Sequence, residues 1–304
     1  MFKHLLVPLD GSSLAESALP AAAYFANIFG ASVTLLHIIE RNAPKEVHRE
    51  RHLQEPQEAQ GYLEEVTKRL FSPQIQVTQH VHTTLESDVA RSIAEHASEL
   101  KPDLIVMCTH GSSGMRGWLF GSIAQQVIGI GKTPVLLIRP DAASPRVEFI
   151  CRKVLLPLDG SPEHEQSLPV GVAIAQACQA ELYLTMVVHT YSTLSGEQAA
   201  AGQLMPGAMS VMLDLAEMGG EEYLRRHLLA LQNSGLSLKA EVARGDPVKI
   251  IEIIAQRAGS DLIVLATHGK SGMDAFWSGS TAPKLSSRTK IPLLLVPVHD
   301  HSEI

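Results

Sequence analysis

Residues 103–139 and 261–297 are two versions of one segment: they align without a gap at a constant offset of 158, and 17 of the 37 positions are identical. That is too much identity for unrelated segments that share only a fold, so the chain is a tandem duplication. The identities include Thr109-His110-Gly111 and Gly121-Ser122, which recur as Thr267-His268-Gly269 and Gly279-Ser280 with nine residues between the glycines in both copies. An apolar run that ends in a glycine-bearing loop and leads to a Gly-Ser helix start is the local chemistry of an anion site.

A chain of 304 residues has room for two domains, and the duplication places them. In the first half, Leu5 to Asp10 is a short β-rich run, and Gly11-Ser12-Ser13 supplies a turn and helix-capping hydroxyls. The pattern then predicts a helix over Leu14 to Phe29 stopped by Gly30, a buried strand over Ala31 to Ile39, and a polar loop from Glu40 to about Gln57. A helix to Leu70, a strand over Gln74 to Val81, a helix over Asp88 to Leu100, a strand over Asp103 to Cys108, a helix over Ile123 to Ile130 and a strand over Pro134 to Ile138 complete the half.

The order restarts at Val154 with an offset of 149, so nine residues were added later in the copy, and they are easiest to place between Thr190 and Gly220. Alternating strands and helices of this length imply α/β domains with a doubly wound parallel sheet, Rossmann-like in outline. The expected boundaries are 1–140 and 150–304, separated by the proline-bearing stretch Pro140 to Pro145. Such sheets take ligands at the carboxyl ends of their strands, where the Asp10 turn and the loop from Cys108 to Gly111 both fall.

Charge narrows the partners. The net charge is −7 and basic residues are interspersed with acidic ones, which leaves no patch for nucleic acid or an anionic membrane surface. Three cysteines without metal-ligand or redox spacing argue for a reducing compartment. No apolar run reaches the roughly 18 residues of a membrane span, and Met1 to His4 leads straight into a strand, so a cytoplasmic protein is expected.

At the Gly-Ser element, Gly121 lets a ligand approach the backbone, Ser122 sits at the helix N-terminus, and the free N–H groups of Ile123 and Ala124 face outward. A lone Gly-Ser more often simply caps a helix; two copies behind Thr-His-Gly at fixed spacing favour binding. The combination Val-Pro-Leu-Asp-Gly-Ser, then Thr-His-Gly, nine residues and Gly-Ser resembles the universal stress protein family, and two copies in one chain resemble its tandem members. In nucleotide-binding members the loop reads Gly, two residues, Gly, nine residues, Gly, then Ser or Thr. Gly111, Gly121 and Ser122 match it here, as do Gly269, Gly279 and Ser280, whereas the first glycine is Cys108 in one half and Ala266 in the other.

The resemblance implies an adenine nucleotide, ATP above all, with Mg2+ as an accompanying ion. It implies that Pro8, Leu9 and Asp10, with Pro157, Leu158 and Asp159, face the adenosine part, that Ile38 and Val187 line the adenine, and that Ile123 and Thr281 offer helix N–H groups to phosphate. It further implies a pseudo-twofold arrangement in which the last strands meet, here Val135 to Ile138 with Leu293 to Val296. On turn chemistry alone, Asp10 could equally be a turn-former before Gly11.

The copies differ in charge. Arg116 of the first loop corresponds to Asp274 of the second, and Pro283 removes one N–H from the second helix start, so the first half is expected to bind better. His110 and His268 lie within the loops, with a structural bond to the loop as the plainer role. His80 and His82 share one face of a strand, but without a third ligand they suggest a solvated or partner-facing surface rather than a metal site. The alternating Glu46, His48, Glu50 and His52 suggest a solvated segment, and Met205, Met209, Met212 and Met218 a flap packed on its domain.

No P-loop lysine, nucleophile elbow or activated cysteine is present. Binding without efficient chemistry is therefore expected, a stress-response sensor or adaptor that is at most a weak ATPase. A slow ATP hydrolase and a protein or lipid interaction module on a degenerate site are the alternatives. A homodimer or another protein partner is compatible with the sequence.

Overall fold

A computed structural model describes residues 1–41, 43, 46–47, 50–109, 122–140, 148–194, 196–268 and 281–298. The chain divides into two compact units. One gathers Met1–Ile150 and Pro292–Pro297, the other Cys151–Thr267 and Ser280–Ile291.

In the first unit, β1 (His4–Pro8) leads through a 3₁₀ turn (Ala15–Ala18) into α1 (Leu19–Phe29) and β2 (Ser32–Glu40). A ribbon of β3 (Glu46–Val47) and β4 (Glu50–Arg51) precedes α2 (Pro56–Leu70), β5 (Val77–Glu86), α3 (Val89–Leu100), β6 (Leu104–Cys108), α4 (Ser122–Ile130) and β7 (Val135–Ile138). Strand β1 lies between β2 and β6; β2 also pairs with β5 and β6 with β7, all in parallel. All seven inner residues of β2 are buried, as in a strand covered by helices on both faces.

The helix expected over Leu14 to Phe29 is interrupted because Pro20 cannot donate to the carbonyl four residues back, so the entering turn tightens to 3₁₀ geometry. Gly30 stops the helix as expected, left-handed at φ 62° with its N–H bonded to the Ala26 carbonyl. Strand β5 begins later than its pattern suggested, because residues 72–75 close a turn in which Ile75 N–H reaches the Ser72 carbonyl at 3.0 Å.

In the second unit, β8 (Lys153–Leu158), α5 (Ser167–Cys178) and β9 (Glu181–Val188) repeat the opening. Helices α6 (Gly196–Leu204) and α7 (Pro206–Leu231) carry the inserted residues, followed by β10 (Leu238–Arg244), α8 (Pro247–Ala258), β11 (Leu262–His268) and α9 (Thr281–Arg288). Strand β8 lies between β9 and β11, and β10 extends β9. Both copies fasten their first strand alike. The Asp103 carboxylate accepts the backbone N–H groups of Lys3 and His4 at 2.7 and 3.0 Å, and Asp261 accepts those of Arg152 and Lys153 at the same distances. The aspartate that opens each repeated segment is thus a structural clamp.

The last strand, β12 (Leu293–Val298), runs antiparallel to β7, with Leu293, Leu294 and Leu295 opposite Leu137, Leu136 and Val135. These are the segments expected to meet, and the pairing covers an apolar strand that would otherwise be an open edge. The boundary stretch 141–147 lies outside the described residues. Among the described residues, no helix is long and apolar enough to cross a membrane.

The face carrying His80 and His82 is half-buried. His96 of α3 meets them, with its Nε2 3.1 Å from His80 Nε2 and its ring 4.9 Å from the His82 ring. Burial holds the His80 imidazole below its ordinary value; His96 and His82 push the same way and Glu99 opposes them. The unfolded chain therefore takes up this proton first as pH falls. The stabilisation from neutral His80 is present above about pH 6.5, the ordinary histidine value, and is lost below it. Denaturant midpoints at pH 7.5 and 5.5 should fall less for His80→Gln than for the unmodified protein; an equal fall would assign the acid sensitivity elsewhere. Among the described residues, no group of three or more His, Cys, Asp and Glu is arranged to hold a metal ion.

Candidate functional site

At the carboxyl ends of β1, β2 and β6 lies a cavity of about 100 Å³. Parallel strands with crossover helices open there because the chain must leave the sheet before each helix begins. Six residues singled out in the sequence converge on this cavity: Pro8, Leu9 and Asp10 from the end of β1, Ile38 from β2, Cys108 from β6 and Ile123 from the first turn of α4. Ala15, Val89, Ile93 and Met107 complete much of the apolar wall, and the remaining polar side chains are His37, Glu40 and His52. The cavity is smaller than the roughly 300 Å³ of the smallest whole-ligand pockets, so it suits one end of a nucleotide rather than all of it.

Asp10 is both turn-former and wall. Its Oδ1 accepts the Ser12 N–H at 2.9 Å and the Ser12 hydroxyl at 2.6 Å, while Ser12 Oγ accepts the Ala15 N–H at 3.1 Å. Gly11 makes the turn possible at φ +90°, where a Cβ would stand 2.8 Å from the Leu53 side chain. The segment before α2 therefore roofs this turn instead of lying in solvent. Glu50 accepts the Ser13 N–H at 3.1 Å, and His52 is only 5% exposed. The solvated reading is corrected on that account for His52, whereas Glu50 is half-exposed and Glu46 exposed, and His48 lies outside the described residues.

Two histidines that the sequence did not single out as ligand-facing stand at the polar end of the cavity. His37 is 1% exposed, and its Nδ1 lies 2.8 Å from the Leu9 carbonyl. Burial holds its imidazole below the ordinary value, against the opposing pull of the Leu9 and Leu53 carbonyls. His52 Nε2 lies 3.6 Å from a Glu40 carboxylate oxygen. His37 Nε2 and His52 Nδ1 are buried without a hydrogen-bond partner.

The second copy arranges the same positions differently. Asp159 and Gly160 repeat the turn, with Gly160 at φ +82° and Ser161 N–H bonded to Asp159 at 3.0 Å. At the position of Ala15, however, stands His164, whose Nδ1 lies 2.6 Å from Asp159 Oδ2. Burial tends to raise the Asp159 carboxyl, but the bonds from His164 and Ser161 outweigh it and hold the group below its ordinary value. The bond to Asp159 in turn raises the His164 imidazole. Met186 replaces His37 and His189 replaces Glu40. Pro157 and Leu158 end β8, Val187 lies on β9, Ala266 and His268 on β11, and Thr281 opens α9.

His110, Gly111, Arg116 and Gly121 of the first loop lie outside the described residues, as do Gly269, Gly279 and Ser280 of the second. Ser122 opens α4. Of the four methionines, Met209 is packed at 6% exposure, whereas Met205, Met212 and Met218 are all more than 60% exposed. The flap reading holds for Met209 alone. Two cysteines distant in sequence also meet, since a hydrogen bond with Cys178 and burial raise the Cys151 thiol.

Comparison with known proteins adds a lineage. The model of the universal stress protein family matches residues 1–139 and 151–297. A universal stress protein E homolog of Haemophilus influenzae is 22% identical over 319 residues, which cover 96% of this chain and 96% of that protein. A universal stress protein of Synechocystis is 32% identical over 138 residues, covering 45% of this chain and 86% of its own. A crystal structure of a universal stress protein from Archaeoglobus fulgidus, 18% identical, shares the fold with a TM-score of 0.71 over 98% of this chain and 97% of that one.

Proposed function

Since the chain belongs to the universal stress protein family, with one copy of the domain in each half, we propose that it binds an adenine nucleotide, ATP foremost, in its first half and acts as a sensor or adaptor in the cytoplasmic stress response. The observation that carries this is the convergence of Pro8, Leu9, Asp10, Ile38, Cys108 and Ile123 on one cavity at the strand ends. An apolar wall with a carboxylate and two imidazoles at one end suits a nucleoside: the rings bury, and the polar groups take its hydrogen bonds. The triphosphate would run toward the start of α4, where the N–H groups of the first turn and the helix dipole favour negative charge. Mg2+ would then be held chiefly by the phosphates.

The second half is assigned a weaker site or none. Its aspartate is engaged by His164, and Asp274 replaces Arg116. Titration calorimetry of the full chain with ATP should give one site. Asp10→Asn should weaken it about tenfold, the scale of one good hydrogen bond to a charged group, while Asp159→Asn leaves it unchanged. Equal losses from the two substitutions would refute the assignment to the first half. If the unmodified protein takes up no ATP and releases no nucleotide on heating, nucleotide binding itself fails. Turnover measured with and without Mg2+ separates a binder from a slow hydrolase.

The exposed Val211, Met212, Leu215 and Met218 on α7 favour a second function, contact with a protein partner, should nucleotide binding fail.

A further inference from the structure

The two copies close the amino ends of their first two strands with different chemistry. At the offset of 149 that relates β1 to β8, Phe2 corresponds to Cys151 and Phe29 to Cys178. In the first copy these positions touch: the rings meet edge to face with 5.1 Å between centroids, Phe2 buried and Phe29 half-buried. The second copy keeps the frame and changes the side chains. Lys153 pairs with Glu181 at the start of the parallel ladder, and the Glu181 N–H reaches the Arg152 carbonyl at 2.8 Å. Carried back two residues, that register sets Cys151 opposite Gln179, the left-handed residue that ends α5 immediately after Cys178.

The two thiols are hydrogen-bonded, and this bond together with burial holds Cys151 in its protonated form. Cys151 is 1% exposed, whereas Cys178 is half-buried, so Cys178 is the sulfur that solvent reaches. Cys178 closes α5, where the helix dipole disfavours a thiolate, so the pair offers proximity rather than acidity. Among the described residues no group of three or more His, Cys, Asp and Glu could hold a metal ion, which leaves the chemistry of the two sulfurs with each other.

We propose that Cys151 and Cys178 are a redox-modification site, joined by peroxide into one reversible disulfide within the second unit. The Cys178 sulfur gives up its proton and attacks hydrogen peroxide, forming a sulfenic acid and one water. The Cys151 sulfur then attacks the Cys178 sulfur, and its proton leaves with the sulfenic hydroxyl as a second water. Two thiols lose two electrons, and one peroxide is reduced to two waters. Three cysteines in 304 residues is not the usage of a disulfide-stabilised protein, and a bond made by an oxidant and released by a thiol matches the transient disulfides of reducing compartments. The pair lies at the amino ends of β8 and β9, opposite the strand ends where nucleotide binding is proposed, and does not depend on it.

Full-length protein treated with hydrogen peroxide, quenched with catalase and alkylated under denaturing conditions should lose two of its three alkylatable thiols. Digestion should yield one cross-linked peptide joining Cys151 to Cys178, and dithiothreitol should restore both thiols, with Cys108 a thiol throughout. Closing this loop removes freedom from the unfolded second unit, so the oxidised protein should melt about 5–10 °C higher. Cys151→Ala should leave Cys178 as a sulfenic acid that dimedone labels, a species the unmodified protein does not accumulate. Should Cys151→Ala fail to fold, Cys178→Ala provides a second comparison, since the buried Cys151 should then remain a thiol. Peroxide that leaves all three thiols alkylatable, oxidises Cys178 without the cross-link, or links either cysteine to Cys108 overturns the inference. So does equal dimedone labelling of the unmodified protein and Cys151→Ala, oxidation of Cys151 in Cys178→Ala, or a cross-link that lowers the melting temperature.

Discussion

Replacing Gly171 by valine will destabilise the second unit by about 3 kcal/mol, the upper range for overpacking a closed core. Gly171 lies on α5 directly over β8, and a Cβ at this position would fall inside van der Waals contact of Leu156 Cδ1 and 3.9 Å from Leu182 Cδ1. Leu156 and Leu182 are fully buried and have little freedom to withdraw. The first copy resolves the same contact the other way: its equivalent residues are Val7 and Ala22, both fully buried. One copy keeps the larger strand residue and a glycine, the other the smaller strand residue and an alanine.

Gly171→Ala alone should be milder, since overpacking of about 1–3 kcal/mol is partly offset by about 1 kcal/mol of helix propensity. Adding Leu156→Val recreates the first-half pair and should recover the loss. In a double-mutant cycle on denaturant midpoints the two changes should couple favourably by about 1 kcal/mol or more. Strict additivity would show that the contact is relieved by backbone movement instead.

Ala15→His will close the first cavity. Ala15 lines it beside Asp10, and the histidine at the equivalent position of the second copy, His164, holds its own aspartate at 2.6 Å. Transplanted, the imidazole should take the Asp10 carboxylate and fill space required by a ligand. Affinity for ATP should fall at least about tenfold, the equivalent of 1.4 kcal/mol, with the melting temperature nearly unchanged. Retained affinity in a folded Ala15→His protein would place the nucleotide somewhere other than this cavity.

Much of the fold was legible because backbone propensity and burial periodicity are local. Gly30 terminated its helix, Asp88 capped α3 with its carboxylate 3.0 Å from the Arg91 N–H, and the order of strands and helices followed the apolar runs. The meeting of Val135–Ile138 with the last strand was implied by the family resemblance, with the apolar edges in support, and its antiparallel direction came only with the structure. The break at Pro20 was present in the sequence as a proline six residues into an expected helix, and only the observed turn shows how the chain accommodates it.

The site divides along the same line. Sequence alone determined that the chain is a duplicated α/β protein, and its resemblance to one family picked out Pro8, Leu9, Asp10, Ile38, Cys108 and Ile123. The tertiary structure decided which polar groups join them. His37 fell within an expected buried strand, His52 within a segment expected to be solvated, and His164 drew no reading at all. Periodicity reports which face of an element is apolar, but it cannot report that a loop folds back over a turn. Nor can it show that an imidazole of the first copy is buried against the strand-end cavity while another, in the second copy, is bonded to an aspartate. Those outcomes depend on distances between residues far apart in the chain, and such distances exist only once the sheets are assembled.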